Sequence, residues 1–271
     1  MVRYAGTMTR FAALAACLML APATAGAQGM RASYEVHAAG MVVMEIEARF
    51  DLSEAGYRME TRVRTRGLAA VFVPGDQTTR AEGGWAGSAA APADYVSEGT
   101  WRGRARRTAL GWEGGVPRVR ALLPPNEDER EPVPEAMKQG TTDALSALAG
   151  MMRHVARDGG CTLAAPVFDG RQRSDFSAGN GRREMILPWR NAWQGEALRC
   201  DVEGVQRAGF RRDGEGRENA RPQRGTAWIA APYPGAPHVP VRVDMPSRWF
   251  GTATAVLLRA EPVERRADLG R

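Results

Sequence analysis

The cysteines are the residues of this chain with the most definite chemistry, and the sequence contains three: Cys17, Cys161 and Cys200. A thiol can act as a nucleophile, ligate a metal ion or form half of a disulfide, and each role implies a different kind of protein. Neither Cys161 nor Cys200 belongs to a Cys-x-x-Cys pair, and the histidines are far apart in the sequence. The spacing therefore disfavours a metal site.

The N-terminal segment predicts export from the cytoplasm. It carries two arginines and no acid before the apolar run FAALAACLMLAPA, and AGA at 25–27 fits a small-residue cleavage site. We expect residues 1–27 to be a cleaved signal peptide and the mature, periplasmic chain to begin near Gln28. An alternative is that LAAC forms a lipobox in which Cys17 is lipidated, but the apolar run continues beyond that cysteine.

Cleavage would leave Cys161 and Cys200 as the two thiols of the mature chain in an oxidising compartment, where disulfides form and persist. We expect the two to be bonded to each other, since a thiol with a partner in that compartment does not stay free as a nucleophile. The bridge would close a loop of about 40 residues, which corresponds to roughly 4 kcal/mol of stabilisation by chain entropy.

The charge balance is mildly basic, with a formal net charge of +6, and Lys138 is the only lysine. This net positive charge is too small to indicate a nucleic-acid-binding protein. The arginine bias has two interpretations, a GC-rich genome or guanidinium groups that bind carboxylates or phosphates of an envelope component. After Ala27 no apolar stretch is long enough to span a bilayer, so no integral membrane segment is expected.

Apolar and charged residues alternate in the segment 42–66, which is typical of antiparallel strands. The charges also predict the register, because opposite charges facing each other stabilise a strand pair and like charges destabilise it. We predict a hairpin with LSEAGY as its loop. The predicted facing pairs are Glu45 with Arg64, Ile46 with Val63, Glu47 with Arg62, Arg49 with Glu60, Phe50 with Met59, and Asp51 with Arg58.

One helix interrupts the predicted strands, at about 142–157. The sequence TTDALSALAGMMRHVARDGG begins with a Thr or Asp cap and ends in a glycine pair. Its apolar residues recur on one face, which predicts packing against a sheet rather than a partner surface. His154 lies beside this face and is interpreted as a polar-face residue.

The chain is predicted to form a single β-rich domain over residues 28–260. The charged, proline-containing segment 124–140 lacks periodicity and is interpreted as an exposed connection within that domain. Residues 261–271 are predicted to form a polar C-terminal tail.

Several segments in order resemble the exported bacterial proteins grouped as domain of unknown function 3108: YEVHAAGMVVMEIEARF, TRGLAAVFVPGDQTTRAEG, TDALSALAGMMRHV, CTLAAPVFDGRQRSDF and EALRCDVEGVQRAGF. The Cys-to-PVFDGR segment and the LRC strand look like the family's cysteine pair. The resemblance implies a periplasmic, mainly antiparallel β protein and no activity. The expected fold is a strongly curved antiparallel sheet or incompletely closed β-barrel with one packed α-helix, similar to the lipoprotein carriers.

The chain lacks the usual catalytic motifs, including Gly-x-Ser-x-Gly, His-Glu-x-x-His, Ser-x-x-Lys and a phosphate-binding glycine loop. Asp169 could act as a catalytic acid, but next to Gly170 it is better explained as part of a two-residue hairpin turn. We therefore predict no catalytic residue, no metal site and no cofactor.

Two functional hypotheses remain, and neither involves an enzyme. In the first, the protein is a binding module whose curved sheet holds a lipid, acyl chain or peptide in a groove lined by flexible methionines, namely Met44, Met59, Met151 and Met152. In the second, it is a structural or interaction protein that contacts anionic lipid headgroups or an envelope protein without a small ligand. The predicted contact residues for that docking are Arg62, Arg64 and Arg66.

Overall fold

The structure is a computed structural model, and it describes residues 29–213, 220–247 and 251–263. The predicted signal peptide, the Cys17 lipobox and most of the predicted C-terminal tail lie outside the described residues.

Thirteen strands form one antiparallel sheet in this part of the chain. Most connections are short turns, as the alternating sequence and its many glycines favour. The strands are β1 (Gly29–Ala38), β2 (Met41–Leu52), β3 (Tyr57–Thr65), β4 (Gly75–Ala86), β5 (Ala89–Trp101), β6 (Arg104–Glu113), β7 (Val116–Leu123), β8 (Leu163–Phe168), β9 (Arg173–Ile186), β10 (Gly195–Ala208), β11 (Gln223–Ala230), β12 (Val239–Ser247) and β13 (Gly251–Val263).

The strand order is β7-β6-β5-β4-β3-β2-β1-β13-β12-β11-β10-β9-β8. The first strand thus pairs with the last in the middle of the sheet, from Gly29 opposite Val263 to Ala38 opposite Ala253. Strands β7 and β8 are left at the two edges, and the sheet curves into a nearly closed barrel. This architecture confirms the predicted fold class.

The hairpin β2–β3 has the register that the charge pattern predicts. Glu45 faces Arg64, Glu47 faces Arg62, and Phe50 faces Met59 across the two strands. The remaining predicted pairs are also present. The prediction succeeded because a shift of two residues would place like charges opposite each other.

The long helix, α2 (Ala144–Asp158), begins two residues later than predicted and ends one residue later. The Asp143 side chain caps it by accepting a hydrogen bond from the Ser146 backbone N–H at 2.9 Å. Gly159 ends it in the left-handed conformation, with φ of 66°, which glycine adopts without steric cost. Tyr57 of β3 donates a hydrogen bond to Ser146 Oγ at 2.6 Å, so the cap also binds the helix to the sheet.

The main core lies between α2 and the concave sheet. Ala149 and Met152 of the helix pack in one cluster with residues from both halves of the sheet, including Phe50, Trp228 and Leu257. Close packing of this kind accounts for most of the stabilisation in a domain.

A second helix, α1 (Gly67–Phe72), is a feature that the sequence reading missed. The segment from Val71 to Trp85 is predicted to be strand, broken by its proline and glycine pair, but β4 begins only at Gly75. A short apolar run such as GLAAVFV fits a helix or a strand equally well, and here the local turn after β3 decides for the helix.

Two further boundaries differ from the sequence reading. β13 continues to Val263, because Glu261, Pro262 and Val263 pair with β1 instead of fraying. The β8–β9 hairpin has a four-residue loop, from Asp169 to Gln172, rather than a two-residue loop.

The connection 124–140 is largely exposed, and it contains a short 3₁₀ helix, Glu135–Met137. It is also anchored to the barrel. Val133 is buried in a core cluster with Leu110 and Phe168, so the connection covers the space between the two edge strands.

Candidate functional site

The two cysteines form a disulfide with a Cα–Cα distance of 5.6 Å. Cys161 precedes β8 and Cys200 lies in β10, so the bond crosses β9. Both side chains are buried, in a cluster with Met151, Val155 and Ile229. The bond thus holds the C-terminal end of α2 and the strands β8–β10 together, which is a structural role.

The three arginines predicted as a docking surface all pair with acids of the sheet itself. Arg62 donates two hydrogen bonds to Asp76 of β4, at 2.9 and 2.7 Å. Arg66 lies 2.7 Å from Glu45, and Arg64 pairs with Glu47. These contacts account for the arginines without an external anion.

The same pairing continues across the neighbouring strands on the solvent side. Arg80 pairs with Glu60 and Glu98, and Arg107 pairs with Glu98 as well. Side chains often bond to the diagonal neighbour rather than to the residue directly opposite, because the strands are twisted relative to one another. We call this network the arginine–carboxylate lattice; it covers β2–β6.

Three of the four methionines predicted to line a groove are core residues. Met59 and Met152 are buried in the main core, and Met151 packs beside the disulfide. Met44 is half-buried in β2, opposite Thr65. Met59, Met151 and Met152 therefore fill space between α2 and the sheet, and they do not border an open groove.

Asp169 is part of the turn between β8 and β9, as its position next to Gly170 suggested. Its Oδ1 accepts hydrogen bonds from the backbone N–H groups of Arg171 and Gln172, both at 2.8 Å. Burial raises the pKa of this carboxyl. Arg171 in turn donates to the carbonyls of Leu123 and Pro124, which ties the hairpin to the end of β7.

His154 likewise has a local partner. Its Nδ1 lies 2.6 Å from Asp158, one turn further along α2. Among the described residues, no group of three or more His, Cys, Asp or Glu side chains is arranged to hold a metal ion.

A cleft with a volume of about 540 Å³ lies on the sheet, and Trp228 of the main core is among its lining residues. One wall is the β1–β2 turn at residues 38–40, in which Ala39 and Gly40 both have positive φ, and the other is the end of β9 with the segment that follows it. We call it the Trp189 cleft. Its lining residues are His37, Ala38, Ala39, Gly40, Glu184, Met185, Ile186, Leu187, Pro188, Trp189, Trp228, Arg242, Thr252 and Thr254.

The end of β9 and the segment after it present apolar side chains to solvent. Met185 is 59% exposed and Leu187 is 73% exposed, and Trp189 is also exposed at the rim. Trp189 stacks edge-on against His37, with ring centroids 4.7 Å apart. Exposed apolar groups concentrated around a concave surface are a frequent mark of a binding site.

His37 contributes a buried polar atom without a partner. The residue is only 5% exposed. Its Nε2 lies 3.1 Å from a carboxylate oxygen of Glu35, which can only accept, so Nε2 carries a hydrogen. Within the described residues Nδ1 has no hydrogen-bond partner. With the hydrogen on Nε2, Nδ1 of an uncharged ring is an acceptor, and His37 is one of the residues that line the cleft.

The floor of the cleft contains Trp228 with arginines beside its ring. The guanidinium of Arg242 lies 5.1 Å from the ring centroid and that of Arg199 lies 5.9 Å away. Arg242 also donates two hydrogen bonds to Asp244. These contacts hold Trp228 rigidly and leave the cationic groups balanced by acids.

This site does not show in the sequence, because RREMILPW (182–189) reads as one of the strands that follow α2. One signal was present. From Met185 to Trp189 the residues are continuously apolar apart from the backbone break at Pro188, whereas the preceding strand alternates. Loss of alternation next to a proline indicates a segment that leaves the sheet.

A second surface depression, of about 590 Å³, lies over β9–β11 and is lined mostly by small and charged residues. Its charges are paired: Arg224 binds Glu203 at 2.8 Å, and Asn180 binds Asp201 at 3.2 Å. This depression offers no apolar wall. The Trp189 cleft is therefore the better candidate site.

None of the helices in the described residues is both long enough and apolar enough to traverse a bilayer.

Comparisons with known proteins give a family and a fold. The model of the family described as "Protein of unknown function (DUF3108)" matches residues 31–258. Among solved structures, the chain is similar to the crystal structure of a β-barrel-like protein of domain of unknown function DUF1849 from Brucella abortus. The TM-score is 0.53 at 13% identity, over 88% of this chain and 99% of that chain. A search of curated proteins finds no significant match.

Proposed function

Because the chain belongs to the DUF3108 family of proteins of unknown function, we propose its role from its own structure: a non-catalytic binding protein of the periplasm that holds a lipid, acyl chain or apolar peptide in the Trp189 cleft. The observation that carries this proposal is the combination of an exposed apolar wall with an unpartnered buried nitrogen, His37 Nδ1. The apolar part of a ligand would cover the wall, and a hydroxyl or amide N–H of the ligand would donate to His37.

The dimensions of the cleft support a small ligand. A volume of about 540 Å³ falls in the range usual for small-molecule sites, which are mostly apolar with a few polar groups. The site also lies on the sheet, so its floor is rigid. The concave side of the sheet is a weaker candidate, because Met59 and Met152 fill it together with α2.

The location in the periplasm rests on separate observations. They are the export-type N-terminal sequence and the buried disulfide, which an oxidising compartment favours. An osmotic-shock fraction containing a chain of the mass of residues 28–271 would support export. Retention of the full-length chain in the cytoplasm would overturn it.

Ligand binding is tested with a dansylated C11 fatty acid, whose fluorescence rises in an apolar site. We expect saturable binding by the parent protein and at least about tenfold weaker binding by Leu187→Ser/Trp189→Ser, because each buried apolar side chain contributes about 1.5–3 kcal/mol. The matched control is Val119→Ser/Phe176→Ser, which removes partly exposed apolar side chains from β7 and β9.

Equal affinity of the parent and the cleft variant would overturn the assignment of the site. A parent protein that binds no probe and releases no lipid or peptide on mass spectrometry after periplasmic extraction would overturn the proposed function.

A further inference from the structure

The helix α1 has its apolar side facing solvent, the reverse of the usual arrangement. Leu68 is 63% exposed, Val71 is 72% exposed and Phe72 is 79% exposed. At spacings of i, i+3 and i+4 these side chains share one face of the helix. The small residues Ala69 and Ala70 are half-buried on the other side. The helix thus presents one continuous apolar face to solvent.

The position of α1 in the fold makes it a projection from one rim of the sheet. It connects β3 to β4, and the Arg66 N–H at its start donates to the Val43 carbonyl of β2 at 2.8 Å. The Val73 N–H donates to the Ala69 carbonyl at 2.8 Å, which closes the last turn of the helix. Met41, at the start of the adjacent β2, is also exposed. The apolar surface is therefore carried on a fixed support.

Two arginines flank this projection from the neighbouring hairpin. Arg102 lies in the β5–β6 turn, and its backbone N–H donates to the carbonyl of Pro74, just after α1, at 2.7 Å. Arg104 begins β6, opposite Trp101. Both are exposed, and in the described part of the chain neither guanidinium has an acid within ion-pair distance. This contrasts with the arginine–carboxylate lattice on the same sheet, in which the arginines are neutralised.

We propose that α1 docks the protein on an anionic phospholipid bilayer, with Leu68, Val71 and Phe72 inserted among the acyl chains and Arg102 and Arg104 bound to headgroup phosphates. An apolar helix face bordered by cations is the composition of interfacial membrane anchors. The paired charges of the lattice leave the rest of this sheet surface near neutral. The geometry thus assigns lipid contact to α1, at a place separate from the Trp189 cleft.

The test is flotation with vesicles of phosphatidylcholine and phosphatidylglycerol (about 70:30), compared with vesicles of phosphatidylcholine alone, at low ionic strength. All variants are expressed from the full-length sequence and carry the same N-terminus, so differences between them report the substituted residues. We expect Leu68→Ser/Val71→Ser/Phe72→Ser to lower the partition coefficient at least about tenfold. We expect Arg102→Ser/Arg104→Ser to lower it several-fold, on the anionic vesicles alone.

Matched controls separate this effect from general surface changes. Val119→Ser/Phe176→Ser removes exposed apolar side chains elsewhere, and Arg58→Ser/Arg118→Ser removes exposed arginines that have acidic neighbours. Both controls should float like the parent. Because the α1 side chains are exposed, the serine variants are expected to fold, which circular dichroism checks.

Three results would overturn the proposal. The first is equal flotation of the parent and the α1 variant, and the second is a parent that does not bind anionic vesicles. The third is concentration-dependent dimerisation that the α1 substitutions abolish without vesicle binding, which would assign the face to a second copy of the chain. The cleft variant Leu187→Ser/Trp189→Ser should float normally, so failure of the proposed ligand site would leave this result unaffected.

Discussion

The two halves of the sheet are held by different chemistry. On β2–β6 the solvent side carries the arginine–carboxylate lattice, in which exposed charges bind from strand to strand. Around β8–β10 a buried disulfide and the apolar face of α2 form a buried hydrophobic cluster. Exposed ion pairs contribute little free energy but discriminate strongly between registers, whereas buried apolar contacts and crosslinks contribute most of the stability. The lattice therefore determines the register of the strands, and the core contributes most of the free energy of unfolding.

The largest effect should come from removal of the disulfide. Cys161→Ser/Cys200→Ser removes a constraint worth about 4 kcal/mol, and we expect the melting temperature to fall by about 10 °C. Thermal unfolding followed by circular dichroism without reductant measures this change. A melting temperature equal to that of the parent would show that the stability of the region around β8–β10 does not depend on the disulfide.

A core substitution in α2 should have the next largest effect. Met152 is buried in the main core, so Met152→Ala should lower the free energy of unfolding by about 3 kcal/mol through lost burial and a residual cavity. Urea denaturation measures the loss. The matched substitution Met185→Ala, at an exposed site, should change stability by less than about 0.5 kcal/mol, and similar losses for the two would contradict the assignment of Met152 to the core.

The contribution of the helix cap to the free energy of unfolding should depend on pH with a sign opposite to that of the lattice. Burial raises the pKa of Asp143, so the folded protein binds this proton more readily than the unfolded chain does. The resulting penalty is fully present above the raised folded pKa, declines as the pH falls below it, and is gone below the unfolded pKa. Asp143→Asn removes the titrating group while it retains a capping oxygen.

We therefore expect the stability of Asp143→Asn relative to the parent to be greatest at high pH and to decline on acidification, by on the order of 1 kcal/mol, the usual size of a cap effect. Urea denaturation at several pH values checks this. A difference that stays constant with pH would contradict the assignment of the titration to Asp143.

The smallest effect should come from the lattice. The Arg62 guanidinium lowers the pKa of Asp76, so the contribution of this carboxylate is present above its unfolded pKa, near 3.9, and is lost as the pH falls through the lower folded value. Asp76→Asn should lower the melting temperature by no more than about 3 °C at neutral pH, because the pair is exposed. The effect should vanish in high salt. A loss of stability as large as that caused by Met152→Ala would contradict the conclusion that the exposed ion pairs contribute less stability than the buried core.

The sequence predicted the features that local rules determine. The register of β2–β3 follows from alternating charges, the disulfide from the two cysteines that follow the predicted signal peptide, and α2 from its cap and glycine stop. The sequence did not predict α1, because GLAAVFV has no feature that distinguishes a helix from a strand. It also did not predict the Trp189 cleft, since His37 and Trp189 come together only when the segment after β9 leaves the sheet and lies near the β1–β2 turn.

Three of the four methionines predicted to line a groove are core residues for a similar reason. Met59 alternates with charged residues and therefore points to one side of its strand, but the sequence does not say whether that side is empty or filled by a helix. The predicted arginine surface overlooked Asp76, whose position opposite Arg64 depends on where β4 begins.

The pairing of β1 with β13 has a consequence for how the molecule is assembled. A polypeptide is synthesised from its N-terminus, so β1 is made first and its partner β13 is the last of the described strands to follow. Until then, one side of β1 has unsatisfied amide and carbonyl groups that any other extended segment could bind. A chaperone that covers β1, or rapid synthesis of the remaining strands, would protect the nascent protein from aggregation along this strand.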